Sequence, residues 1–243
     1  MAQVSNTWET FDATGNREEL ADRIYRITPE ETPFLSLIGH VPIKTTHPEW
    51  QTETLATPDT ANNQPEGNDW TYQAQSATTR VGNYAQISDK RIIVSRTQDM
   101  TDKAGRKSEL AHYVAKAGVE LKTDMEVILL GNQASNAGSG NGASNRRLGG
   151  MRAWLASNDD LGASGSSGGF NTSTSVVDAA TNGTQRAFTK AILDSVILNT
   201  YNAGGKPSVL QVSPYVKTVF PGSSTMPMSF RFASTPTRPA RTR

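Results

Sequence analysis

Residues 108–131 read Ser-Glu-Leu-Ala-His-Tyr-Val-Ala-Lys-Ala-Gly-Val-Glu-Leu-Lys-Thr-Asp-Met-Glu-Val-Ile-Leu-Leu-Gly. Within them Leu110, Val114, Ala117, Leu121, Met125 and Ile128 recur at three- and four-residue spacing, the period of one helix face. Gly131 supplies a residue that ends a helix well. A helix from Ser108 to Leu130 would span about 34 Å at 1.5 Å per residue, close to the width of a small domain. It is the strongest periodic element in the chain and reads as a spine for the rest. Lys116 with Glu120, and Lys122 with Glu126, stand four residues apart, which predicts a solvated face supported by about 0.2–0.5 kcal/mol per pair.

Upstream, the pattern changes twice. Asn16 and Glu19 fit a capping box, and Leu20, Ile24 and Ile27 line one side of a short amphipathic helix. Thr32 then caps a further turn that has Pro33 at its first position and Gly39 beyond its end, with Phe34, Leu35, Leu37 and Ile38 as an adhesive surface. From His47 the chain reads as extended: Glu49 to Leu55 is rich in Thr and aromatic character but has little apolar alternation. Pro58 to Trp70 is turn-rich, and a second extended run follows from Ala77 to Val94. The simplest arrangement is a long polar hairpin. A two-stranded ribbon is marginal in water by itself, so the expectation is that a neighbouring subunit supplies its contacts.

Downstream of the spine, Asn132 to Asn145 and Ser157 to Gly183 are Gly/Ser/Asn-rich and read as surface loops around a short apolar patch, Leu148 to Leu155. Phe188, Ile192, Leu193, Val196, Ile197 and Tyr201 predict a second amphipathic helix, ended by the turn Ala203 to Pro207 and followed by a strand, Val209 to Val212. No acidic residue occurs after Asp194, and from Pro221 the sequence turns Ser/Thr/Pro/Arg-rich.

The 243 residues could bury about 70% of their unfolded surface, yet only 35% are apolar and mean hydropathy is −0.51. A net charge of +1 provides no global field toward nucleic acid or an anionic membrane. The lack of cysteine removes disulfides, thiolate catalysis and Cys-based zinc sites. Met1 to Thr10 has no basic region followed by an apolar run, and no stretch approaches the roughly 20 apolar residues of a membrane helix, so neither secretion nor membrane insertion is expected.

Candidate chemistry is sparse. His40, His47 and His112 share no metal-ligand spacing. Gly138 to Ala143 imitates a dinucleotide fingerprint but follows a helix where the mechanism needs a strand. Gly204-Gly205-Lys206-Pro207 lacks the spacing of a phosphate loop, and Gly165-Ser166-Ser167-Gly168 does not follow the strand a nucleophile elbow requires. Glu120, Asp124 and Glu126 read as a solvated stripe of the helix before they read as paired catalytic carboxylates. Asn171-Thr172-Ser173 and Asn182-Gly183-Thr184 match glycosylation acceptors without a secretion signal to give them weight. Arg231, Arg238, Arg241 and Arg243 make a basic tail that could touch nucleic acid or hang free. No catalytic, cofactor-binding or metal-binding residue is assigned, and no enzyme is expected.

In order along the chain, several groups resemble the major capsid proteins of tailed bacteriophages, whose shell fold is shared with encapsulins. They are Glu19 to Asp22, Thr28-Pro29 with Thr32 to Leu35 and Ile38-Gly39, Glu49 to Leu55, Arg80, Gly82 to Tyr84, Gln86-Ile87, Val94-Ser95 with Thr97, Ala104-Gly105, and Glu120 to Lys122 with Asp124 and Glu126. The resemblance covers about Asn16 to Phe220. It implies an α+β fold with an N-terminal arm (1–45), an extended hairpin loop laid over a neighbour (46–97) and a peripheral domain containing the spine helix (98–185). It also implies a partial axial domain (186–220), leaving a basic tail, aberrant or disordered, at 221–243. The function implied is self-assembly into an icosahedral virion head enclosing double-stranded DNA without sequence-specific binding, built in the bacterial host cytoplasm, with no membrane and no cofactor. A decoration or tail protein, or a non-assembling truncated relative, is the alternative. Relatives continue past Phe220 with further strands where this chain turns to Pro221-Gly222-Ser223-Ser224. Unpaired sheet edges there predict impaired assembly or aggregation of the chain by itself.

Overall fold

The computed structural model describes residues 7, 10, 24–69, 72–219 and 231–234, with 219 and 231–234 described as backbone only. The chain divides into two compact units, Met1–Pro29 with Lys90–Glu120, and Glu30–Asp89 with Leu121–Arg243.

In the first unit, α2 (Arg96–Met100) begins at Ser95, whose hydroxyl accepts from the Gln98 N–H at 3.2 Å. Asp99, inside this short helix, then starts the next one. Its Oδ1 accepts from the Ser108 hydroxyl at 3.1 Å and from the N–H groups of Glu109 at 2.6 Å and Leu110 at 3.4 Å, at the start of α3 (Glu109–Leu130). The carboxylate thereby satisfies the first N–H groups of the helix, which have no partner within it. The Glu109 N–H bond above all holds the Asp99 carboxyl below its ordinary value; desolvation opposes it, and the bonds from Leu110 and Ser108 and the Lys103 charge add to the lowering.

The second unit holds α1 (Pro33–Leu37), three two-stranded sheets, the latter part of α3, α4 (Met151–Trp154), α5 (Lys190–Asn202) and α6 (Pro214–Val219). Strands β1 (Glu49–Thr52) and β2 (Thr79–Gly82) pair antiparallel in the register Glu49 to Gly82 and Thr52 to Thr79. This is the long hairpin read from sequence. The regular strand stops at Gly82, but backbone bonds run on, Asn83 N–H donating to the Pro48 carbonyl at 3.1 Å and Ala85 N–H to that of Thr46 at 2.9 Å, while the Asn83 and Gln86 side chains bond residues 148–149. Strands β3 (Gly169–Asn171) and β4 (Val176–Asp178) form a second antiparallel hairpin. Strand β5 (Val209–Val212) pairs in parallel with β6 (Arg231–Ser234), so part of the segment read as a tail joins a sheet.

Several expectations are corrected by this arrangement. The helix proposed from Asn16 lies largely outside the described residues, and Ile24 and Ile27 are not helical. Thr32 makes no capping bond through its side chain. Glu126 instead caps α1 from across the chain, its two oxygens accepting from Phe34 N–H at 2.8 Å and Leu35 N–H at 2.7 Å. Glu126 is therefore not on a solvated face but is fully buried, whereas Leu110 and Val114 of the expected apolar stripe are 50% and 55% exposed. A buried carboxylate persists only when its lone pairs are satisfied, and two helix N–H groups with a favourable dipole do that here.

The Gly/Ser/Asn-rich stretches are also more ordered than their composition implies. Ser135 is buried and brackets Val177: its N–H donates to the Val177 carbonyl at 2.9 Å and its hydroxyl accepts from the Val177 N–H at 2.7 Å. Asn132 does the same to Ala180 through both ends of its amide, at 2.6 and 2.9 Å. Short polar side chains here stand in for a missing strand. The apolar core they enclose is small, with Ala153, Val177, Ala180 and Leu193 the buried hydrophobic side chains among the described residues.

Candidate assembly surface

The residues singled out for chemistry are dispersed through the structure. His47 stacks on Tyr84 with ring centroids 4.2 Å apart and lies 3.8 Å from a Glu49 oxygen. His112 meets Tyr113 edge-on at 5.5 Å, and His40 is exposed. Among the described residues, no three His, Asp or Glu side chains gather as a metal site. The dinucleotide-like run contains a tight turn, Ser139 N–H to Ser144 carbonyl at 2.9 Å. Gly204 and Gly205 close the end of α5, their N–H groups donating to Tyr201 and Thr200 carbonyls at 2.9 and 2.8 Å. Gly165 to Gly168 lies beside the bridge from Ser166 to Thr181. Glu120 pairs with Lys116 at 3.6 Å while Glu126 is committed to α1, so these two carboxylates serve different neighbours. Asn171 accepts from Ser173 N–H in the β3–β4 turn, and Asn182 accepts from Arg152 at 2.8 Å. Of the basic tail, Arg231 opens β6, while Arg238, Arg241 and Arg243 lie outside the described residues.

What the structure does build with care is the root of the first hairpin. The Asn83 amide binds both backbone groups of Gly149, donating to its carbonyl at 3.1 Å and accepting from its N–H at 2.9 Å. Gln86 accepts from Leu148 N–H at 3.1 Å. On β1, Trp50 stacks on Trp154 of α4 at 5.3 Å, and Trp154 stacks in turn on Phe170 of β3 at 6.1 Å. Such aromatic pairs contribute about 0.5–1.5 kcal/mol each beyond their buried area. Arg80 crosses to Glu49 at 3.2 Å, although this exposed pair adds little. The hairpin thus leaves the fold from a fixed point and at a fixed angle.

Beyond that root the character reverses. Every residue from 49 to 69 is exposed, and Leu55 and Tyr72 are 96% and 94% open to solvent. Val41, Ile87 and Ile93 are similarly uncovered. Sequence reading had found Trp50 and Asn83 only as members of longer motifs and missed Glu126, Trp154 and Phe170 as anchors. For Trp154, the apolar patch 148–155 that contains it was the available signal.

A family model described as SU10 major capsid protein matches residues 4–234. The major capsid protein of Escherichia phage Phieco32 is 36% identical over 125 residues, which cover 51% of this chain and 36% of that protein. The chain therefore spans well under half of that relative's length. No helix among the described residues is long and apolar enough to cross a membrane. With a rooted hairpin, a spine helix and a match over nearly all its length, this chain belongs to the SU10 major capsid protein family.

Proposed function

We propose that this chain is a structural subunit of a phage head, assembling with copies of itself into an icosahedral shell around double-stranded DNA in the bacterial host cytoplasm and remaining in the virion. The observation that carries this reading is the hairpin: anchored at its root by Asn83, Gln86 and Trp50, and wholly exposed beyond it. A ribbon of two short strands gains little from its own fold, so its rigid mounting makes sense as a way of presenting it to a neighbour. The printed description of the Phieco32 relative, a major capsid protein, supports the same role.

In this reading residues 1–45 form an N-terminal arm, 46–97 the extended loop, 98–185 a peripheral domain on the spine helix and 186–220 an axial domain that faces its copies. The work is architectural and involves no catalytic step. Permanent interfaces of this kind bury about 2,000–5,000 Å². Sedimentation of the purified chain across a hundredfold range of concentration is the test, with negative-stain microscopy of the fractions. Concentration-dependent association into capsomer-sized or larger species is expected. A single monomeric species throughout would overturn the proposal.

A further inference from the structure

Two Asn-Gly pairs occur in the chain, Asn141-Gly142 and Asn182-Gly183. Such a pair carries its own chemistry. The asparagine amide carbon is an electrophile, and the backbone nitrogen that follows reaches it to close a five-membered ring wherever the chain can turn, a motion that glycine, lacking Cβ, hinders least. The two pairs stand in opposite settings.

Asn141 and Gly142 sit at the tip of a loop whose base is closed by the Asn136–Arg147 bridge and by Ser139 N–H on the Ser144 carbonyl at 2.9 Å. Residues 140–143 are all exposed, and among the described residues their one backbone hydrogen bond runs from Gly142 N–H to the Ser139 carbonyl, long at 3.4 Å. A Cβ on Gly140 or Gly142 would meet nothing within 4 Å, so the tip has room to turn. No hydrogen bond holds the Asn141 side chain among the described residues. Asn182, by contrast, is held on both sides. Its Oδ1 accepts from Arg152 at 2.8 Å. Thr181 before it exchanges backbone bonds with Ser166 at 2.8 and 3.2 Å, and Thr184 N–H after it donates to the Ala163 carbonyl at 2.9 Å. A Cβ on Gly183 would overlap the Leu161 carbonyl oxygen, so the nitrogen that would attack has no room to swing.

We infer that Asn141 is a self-modifying site, converting to a mixture of aspartate and isoaspartate in the folded protein while Asn182 is protected. The Gly142 N–H gives its proton to hydroxide, and the nitrogen attacks Asn141 Cγ. The N–Cγ bond forms as the Cγ–Nδ2 bond breaks, and Nδ2 leaves as ammonia with a proton from water. Water then opens the cyclic imide at either of its two carbonyls: opening at Cγ gives isoaspartate no share and leaves aspartate, and opening at the Asn141 backbone carbonyl routes the chain through the side chain as isoaspartate. Hydroxide and water are the only co-reactants. Each event adds a negative charge to a loop whose charged residues are Arg146 and Arg147, so copies of the chain come to differ in charge as they age.

The test incubates the full-length chain in neutral and in mildly alkaline buffer and follows both sites by peptide mapping with mass spectrometry, using isoaspartyl methyltransferase labelling to identify the product. Conversion at Asn141 should be at least about tenfold faster than at Asn182, the ratio that a barrier difference of about 1.4 kcal/mol produces, and should accelerate with pH. In urea, with both loops unfolded, the two rates should converge, because the surroundings and not the Asn-Gly sequence make the difference. Asn141→Gln, whose longer side chain needs a six-membered ring, should stay unmodified at that position while the fold, followed by circular dichroism, is unchanged. Conversion at Asn141 no faster than at Asn182 in the folded protein, or an aspartate product free of isoaspartate, would overturn the inference.

Discussion

The two ends of the first hairpin are built on opposite principles. At its root, a few side chains make bonds that only one backbone geometry allows: Asn83 to both polar groups of Gly149, and Trp50 onto Trp154. In its loop, Asp59 closes a local turn on Ala61 N–H at 2.8 Å, and Asn68 reaches Gln64 at 2.5 Å, but among the described residues no side-chain bond ties the loop to the body of the unit. The contrast shows where the chain's own folding ends. Bonds and stacking fix the direction of the ribbon at its root, while the described loop residues stay exposed.

Substitutions can break or sharpen this contrast. Gly150→Ala strikes just behind the root, where a Cβ would overlap the Gly131 carbonyl oxygen, and should destabilise by about 4 kcal/mol or more in urea unfolding followed by circular dichroism. Glu126→Ala removes both acceptors from the start of α1 and should cost about 3 kcal/mol, with Glu126→Gln milder because one acceptor remains; faster amide exchange at Leu35 would localise the effect. Asn83→Ala leaves the Gly149 N–H and carbonyl without side-chain partners and should cost about 2 kcal/mol, with Trp50 and Trp154 as fluorescent reporters of the loosened root. Gly67→Ala in the loop meets open space but sits at φ +77°, so a loss of at most about 1 kcal/mol is expected, with the smallest shift in unfolding midpoint of these four. A large effect there, or a negligible one at Asn83, would erase the distinction between root and loop.

The fifth prediction concerns the other unit and is the smallest near neutral pH. Asp99 has its carboxyl held below the ordinary value of 3.8, chiefly by the Glu109 N–H. A depressed folded-state value stabilises above the unfolded value and loses that effect as pH falls through the folded one. Asp99→Asn should therefore be less stable than the parent at pH 7, and thermal melts should show the gap closing below pH 3.8.

Elements whose signal is local were legible in the sequence. The spacing of Leu121, Met125 and Ile128 marked α3 to within a residue, and that of Ile192, Leu193, Val196, Ile197 and Tyr201 marked α5, though its Thr189 cap went unread. The polar hairpin was also visible, because Thr and aromatic content between turn residues is a short-range property. Long-range pairing was not. Nothing near Glu126 indicates that its partner N–H groups lie 92 and 91 residues upstream, and its position opposite Lys122 predicted the wrong environment. Ser135 and Asn132 were hidden for the same reason: in a Gly/Ser/Asn-rich stretch, composition points to a linker, whereas their order comes from bonds to Val177 and Ala180 more than forty residues away. The parallel partner of β5 escaped notice because residues 231–234 sit inside a stretch whose Pro and Arg content reads as tail.

The bond between Glu126 and α1 also sets a clock on synthesis. A ribosome adding about 5–20 residues per second needs roughly 5–20 s to travel from Phe34 to Glu126. Throughout that interval the first turn of α1 has been made but its acceptor does not yet exist, so Phe34 and Leu35 wait for the carboxylate that receives their N–H groups in the finished fold.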